Sequence, residues 1–177
     1  MIIREAAPGD AAGIARVHVE SWRTTYLGIM PQQHLDELSE DDFTQTWATR
    51  LADDGPDRSH VLVAAADGGE LVGFVSGGRE RAGDPDYGAE VYALYLLRSQ
   101  QGRGAGRRLL RAMARRLSEA GHAALLIWVN ADNPARGFYE ALGGVAARAG
   151  SRQIRGVAYQ DAGYGWDAAA FRRLLEG

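Results

Sequence analysis

The residues best suited to chemistry lie between positions 90 and 107: Glu90-Val91-Tyr92-Ala93-Leu94-Tyr95-Leu96-Leu97-Arg98-Ser99-Gln100-Gln101-Gly102-Arg103-Gly104-Ala105-Gly106-Arg107. An apolar, strand-like run gives way to a turn with three glycines in five residues, then to an arginine-rich amphipathic stretch. Glycines let successive backbone N–H groups converge without a Cβ in the way. The positive end of the following helix adds its dipole, so the turn is expected to cradle phosphate. Spacing narrows the ligand. A dinucleotide fingerprint needs G-x-G-x-x-G, but the sixth position is Arg107 counted from Gly102 and Leu109 counted from Gly104. A Walker loop needs Gly-Lys where Arg107-Arg108 stands. Both of those motifs fail.

Charge supports a single anionic ligand. All 20 basic residues of the 177-residue chain are arginine, which removes Schiff-base chemistry and a Walker lysine. Seven of them (98, 103, 107, 108, 111, 115 and 116) fall in a segment without an acid, a local +7 in a chain of net charge -3. The remainder therefore carries -10, much of it in residues 34–57 (Asp36, Glu37, Glu40, Asp41, Asp42, Asp53, Asp54 and Asp57 against Arg50). One concentrated basic segment on an acidic protein fits one docked anion better than a nucleic-acid surface, so no nucleic-acid partner is expected. With no cysteine there is no disulfide, thiol nucleophile or thiolate metal site, and no histidine cluster has metal-ligand spacing. No apolar run approaches the roughly 20 residues of a membrane span, and Met1-Ile2-Ile3-Arg4-Glu5 lacks a signal-peptide pattern. A soluble cytoplasmic protein is the expectation.

These residues need elements to hold them. Residues 1–6 read as a first strand, and Pro8-Gly9-Asp10 opens a helix capped by Asp10, with Ile14, Val17, Ser21 and Trp22 on one side. Pro31 starts a short helical turn, and Ser39 caps a helix carrying Phe43, Trp47 and Leu51. A loop follows at 53–57. Residues 61–66 and 71–76 form a hairpin around Asp67-Gly68-Gly69. Residues 90–97 are a central strand, and 102–120 an amphipathic helix with Leu109, Leu110, Met113 and Leu117 inward, stopped by Gly121. Residues 123–129 are a buried strand, and 134–142 a helix capped by Asp132 or Asn133. Two strands (145–155 and 156–166) and an Asp167-capped helix complete a mixed α/β domain without repeats or linkers.

The turn matches Gln101-x-x-Gly104-x-Gly106, preceded by the strand Tyr92-Ala93-Leu94-Tyr95-Leu96. About 30 residues on stands Asn133-Pro134-Ala135-Arg136-Gly137-Phe138-Tyr139-Glu140-Ala141-Leu142-Gly143-Gly144. Together these resemble the acetyl-CoA signature and the later Asn…Tyr-Glu-x-Leu-Gly-Phe element of the GNAT superfamily of N-acetyltransferases, and the order of elements fits from residue 2 to 166. The resemblance implies a single domain over 1–177 (core 2–166 and a short terminal helix). Its central sheet would be mostly antiparallel, splayed between the fourth and fifth strands and flanked by helices. It also implies acetyl-CoA as co-substrate, with no metal. The diphosphate is then expected on the amides of Gly102, Arg103, Gly104, Ala105, Gly106 and Arg107, and the pantetheine arm on the backbone of Leu94, Tyr95 and Leu96, like an added strand. Asn133 would meet the pantetheine, and Tyr139 would protonate the departing thiolate. Two positions depart from the pattern: Asn133 to Tyr139 is one residue shorter than the commoner spacing, and Gly144 stands where phenylalanine is usual.

A neutral amine nucleophile needs a base. Glu90, at the start of the fourth strand, matches a glutamate that several members of the family place there; its alternative is an exposed strand-end charge. His18, Trp22 and Tyr26 recur every four residues and form either an aromatic acceptor wall, able to hold a cation over its rings, or core. Tyr139 is either the acid or a packed ring. Without a cysteine to carry the acyl group, direct transfer in a ternary complex is expected. The acceptor is a primary amine of a small molecule or peptide, and a homodimer is open because dimers are common among such proteins. A catalytically silent acyl-CoA sensor on the same fold is the alternative function.

Overall fold

The structure is a computed structural model describing residues 1–55 and 58–177. The loop expected at 53–57 runs into Pro56 and Asp57, which lie outside the described residues. Seven strands follow the hydrogen-bonded order β1-β2-β3-β4-β5-β7-β6: β1 Ile2–Glu5, β2 His60–Ala65, β3 Leu71–Arg79, β4 Ala89–Leu96, β5 Leu125–Asn130, β6 Val145–Ile154 and β7 Val157–Trp166. The helices are α1 Ala11–Thr25, α2 Gln32–Asp36, α3 Glu40–Ala52, α4 Ala105–Glu119, α5 Arg136–Ala141 and α6 Ala168–Glu176. The mixed, mostly antiparallel α/β sheet read from the sequence is the observed fold, with β4 and β5 its parallel pair. The chain groups into two compact units, Met1–Gly77 with Ala93–Met113, and Gly78–Tyr92 with Ala114–Gly177.

In the first unit β1, β2 and β3 pair antiparallel, Ile3 opposite Ala64 and Val63 opposite Phe74. Alternation turns Val61, Val63 and Ala65 to one face, where they bury with Ile14, Ala15 and Val17 of α1, Trp47 of α3 and Phe74 of β3. Each buried valine, isoleucine or phenylalanine among them contributes about 2 kcal/mol. Ser39 caps α3 as expected, its Oγ accepting from the Asp42 N–H at 3.2 Å. Asp10 does not cap α1. Its carboxylate is drawn back by Arg4 (2.6 and 2.9 Å) and accepts the Ala7 N–H at 2.7 Å, closing a 3₁₀ turn at Pro8–Asp10.

In the second unit β4 pairs parallel with β5 from Ala89 opposite Leu125 to Val91 opposite Ile127. Beyond β5 lies the β6–β7 hairpin, with Asn130 opposite Asp161 and Asp161 opposite Gly150. Asp167 caps α6 through the Ala169 and Ala170 N–H groups. Gly144 is explained by Trp166: a Cβ built there would lie 2.6 Å from the ring of that fully buried indole, whose N–H donates to the Leu142 carbonyl at 2.9 Å. The tryptophan fills the space a larger residue at 144 would take. The helix expected at 134–142 is shorter, Arg136–Ala141, because the Asn133 Oδ1 accepts the Ala135 N–H and holds the preceding residues in a turn.

Candidate active site

The glycine turn is built from the end of β4. The Leu97 N–H is fixed on the Val72 carbonyl (2.9 Å), and Arg98–Gln100 forms one 3₁₀ turn. The Gln101 side chain reaches back to the Leu96 carbonyl at 3.0 Å. The glutamine thereby ties the turn to the strand. Gly102 (φ 72°) and Gly104 (φ 81°) adopt the left-handed region, which costs another residue about 1–2 kcal/mol. A Cβ at either would meet nothing within 4 Å. α4 then begins at Ala105, three residues later than expected, because Gly102 and Gly104 hold the preceding turn out of helix. Among the described residues no acceptor takes the N–H of Gly102, Arg103, Gly104, Ala105, Gly106 or Arg107; the first amide engaged is that of Arg108, on the Gly104 carbonyl. Six free amides at the start of a 15-residue helix, with Arg103, Arg107 and Arg108 exposed and without an acidic partner among the described residues, fit an oligophosphate. Inward-facing Leu109, Leu110, Met113 and Leu117 are fully buried and anchor the helix that carries them.

Beside the turn, Leu94 and Tyr95 are half-buried and Leu96 is buried. The Tyr95 ring stacks on His18 at 4.9 Å, and its hydroxyl lies 3.5 Å from that of Tyr26. His18 also meets Trp22, Phe43, Trp47 and Phe74, with centroids 4.5–5.9 Å apart. Burial pushes its imidazole down to about 3, helped by the Arg50 charge, so it is neutral. Its Nδ1 accepts from the Trp47 Nε1–H at 3.3 Å, fixing the tautomer. His18, the half-buried Trp22 and the buried Tyr26 thus form part of an aromatic core.

Glu90 is no exposed strand-end charge. It is 3% exposed, and both its oxygens accept from the Arg81 guanidinium. Arg81 in turn lies 4.1 Å over the Tyr92 ring, whose hydroxyl donates to the Arg79 carbonyl at 2.6 Å. The Glu90 side chain raises the Arg81 pKa further. The loop bearing Arg81 is held by the buried Glu80, which accepts the Ala82 and Asp84 N–H groups, and by Arg148 on Asp84 and Asp86. Sequence reasoning missed Arg81; an arginine in the tight loop before an inward glutamate was the signal. Tyr139 is buried, its ring against Phe138, Tyr164 and Trp166. Asn133 is 6% exposed, its Oδ1 committed to Ala135.

The chain matches the model of the acetyltransferase (GNAT) family over residues 14–144. It is 37% identical over 174 residues to an uncharacterized N-acetyltransferase of Bacillus subtilis (strain 168), YuaI, covering 98% of this chain and 97% of that one. A GCN5-related N-acetyltransferase structure from Rhodopseudomonas palustris superimposes with a TM-score of 0.73 at 24% identity, covering 94% of both chains. YncA of Salmonella typhimurium, solved with its cofactor acetyl-CoA, gives 0.68 at 20% identity, covering 95% of this chain and 94% of that one.

Proposed function

The chain belongs to the GNAT family of acetyltransferases, and from that premise we propose that it transfers acetyl from acetyl-CoA directly to a primary amine of a small molecule or peptide. The observation carrying this is the set of unengaged amides from Gly102 to Arg107 beneath two left-handed glycines. Those amides and the neighbouring arginines hold the diphosphate of the donor. Leu94, Tyr95 and Leu96 offer backbone groups along which the pantetheine lies as an extra strand, and Asn133 offers its amide. Bound acetyl-CoA supplies an activated thioester carbonyl. Strand N–H groups of β4 orient that carbonyl and stabilise negative charge on its oxygen.

Glu90 accepts the proton of the amine. Its ion pair with Arg81 fixes the carboxylate's orientation. A weak base suffices, because the nitrogen's proton becomes far more acidic as the bond to carbon forms. Tyr139 delivers its phenolic proton to the leaving sulfur. The test is calorimetry with acetyl-CoA, followed by thiol release over a panel of primary amines. Tight donor binding with amine-dependent release is the expected result. Failure to bind at about 1 mM donor refutes the assignment. Binding without release to any amine class would make the chain a sensor.

A further inference from the structure

One buried carboxylate in the second unit keeps an oxygen without a hydrogen-bond partner among the described residues. Asp161 on β7 is 8% exposed, and its Oδ1 has no partner among the described residues. Its Oδ2 lies 3.1 Å from the Nε of Arg152, but that N–H is not aimed at it. Two positions earlier, the hydroxyl of the buried Tyr159 is equally unpartnered. Buried polar groups in native proteins are nearly always satisfied, and an orphaned charge is costly, so three such groups together call for a ligand.

The neighbours indicate which one. Residues paired across β5, β7 and β6 share a face, which puts Trp128, Asn130, Tyr159, Asp161 and Arg152 on the same side. The two glycines flanking Asp161, Gly150 and Gly163, let the Trp128 ring lie flat over the strands; a Cβ at either would come within 3.3 Å of the indole. By register Glu90 opposes Leu126, which opposes Gly165, so Glu90 faces the same way. An anionic oxygen, a phenol and an indole face on one surface suit an ammonium group attached to a flat apolar body. Arg152, its side chain 39% exposed, presently stands over the carboxylate as a substitute cation.

We propose that Asp161, Tyr159 and Trp128 form the recognition site for the ammonium form of an aryl-bearing primary amine, and that Arg152 is the movable counter-ion such a ligand displaces. Calling this ligand the acetyl acceptor rests on the acetyltransferase reading; the binding itself does not. The probe is benzylamine, with benzyl alcohol as the neutral control, titrated calorimetrically into the full chain and its variants. Benzylamine should bind the wild type and benzyl alcohol should not. Asp161→Asn should weaken benzylamine at least about tenfold, and Tyr159→Phe a few-fold. Arg152→Ala should tighten it about threefold, a gain in affinity that a purely structural ion pair would not give. The Tm of Asp161→Asn should equal or exceed wild type, which separates lost recognition from lost folding.

Absence of wild-type binding at about 10 mM overturns the proposal, as does equal binding by Asp161→Asn, which would mean that water alone satisfies the carboxylate. If acetyl-CoA binds and amines turn over equally in wild type and Asp161→Asn, this inference falls and the transferase reading stands. If benzylamine binds as described but acetyl-CoA does not, the ammonium site stands and the transferase reading falls.

Discussion

Gly104 separates the conformational role of the turn from its electrostatic one. At φ 81° it sits where any other residue is strained, yet a Cβ there meets nothing within 4 Å. Gly104→Ala should therefore cost only the backbone strain, about 1–2 kcal/mol. For a chain of this size that is a fall in Tm of about 5 °C. Gly104→Glu carries the same strain and adds a carboxylate beside the free amides of a helix N-terminus. With an effective dielectric of about 40 and a separation of about 6 Å, each unit of phosphate charge is opposed by about 1.4 kcal/mol, so two charges cost about 3 kcal/mol. The Kd for acetyl-CoA should rise about a hundredfold further in Gly104→Glu than in Gly104→Ala at matched Tm. Raising salt to about 0.5 M shortens the screening length to roughly 4 Å and should recover part of the Glu defect and none of the Ala defect. Acetyl-pantetheine, which lacks the diphosphate, should bind both variants alike. Equal donor affinity in the two variants would refute the diphosphate site.

Three further outcomes follow from particular contacts. Tyr139→Phe should lower kcat about a hundredfold while leaving the donor Kd within about twofold, as measured by steady-state kinetics and calorimetry; equal losses in both would contradict proton delivery. His18, held near 3 against an ordinary value of 6.5, refuses a proton that the unfolded chain takes up. Stability is then full above 6.5 and falls as pH drops, by about 2 kcal/mol at pH 5, and urea titrations of His18→Phe should show that slope flattened. Gly144→Phe should drive its side chain into the fully buried Trp166 and cost about 3 kcal/mol, near 10 °C in Tm, while Gly144→Phe with Trp166→Ala should recover most of it. Additivity in that double-mutant cycle would show that the two positions do not share one space.

What the sequence made legible was governed by local rules. Asp67-Gly68-Gly69 makes a hairpin whatever surrounds it, Ser39 and Asp167 cap the helices that follow them, and Gln101-x-x-Gly104-x-Gly106 dictates a turn whose amides have nowhere else to bond. Features that depend on tertiary partners are not readable in this way. Asp10 has the composition of a cap, but Arg4, six residues back, competes for its carboxylate with two hydrogen bonds. His18, Trp22 and Tyr26 have the spacing of a helix face, and spacing alone cannot say whether that face meets ligand or the rings of Phe43, Trp47 and Phe74. Glu90 and Asp161 carry the same side-chain charge on β4 and β7, two strands on either side of β5, and only the structure tells them apart. Arg81 satisfies the first, whereas the second keeps an oxygen without a donor. An acid that a strand turns inward is either paid for by a partner or held in reserve for one, and alternation shows only that it points inward. The arginine that faces each acid, Arg81 or Arg152, stands nine positions before it, a distance that carries no periodic signal, and only Arg81 hydrogen-bonds its acid.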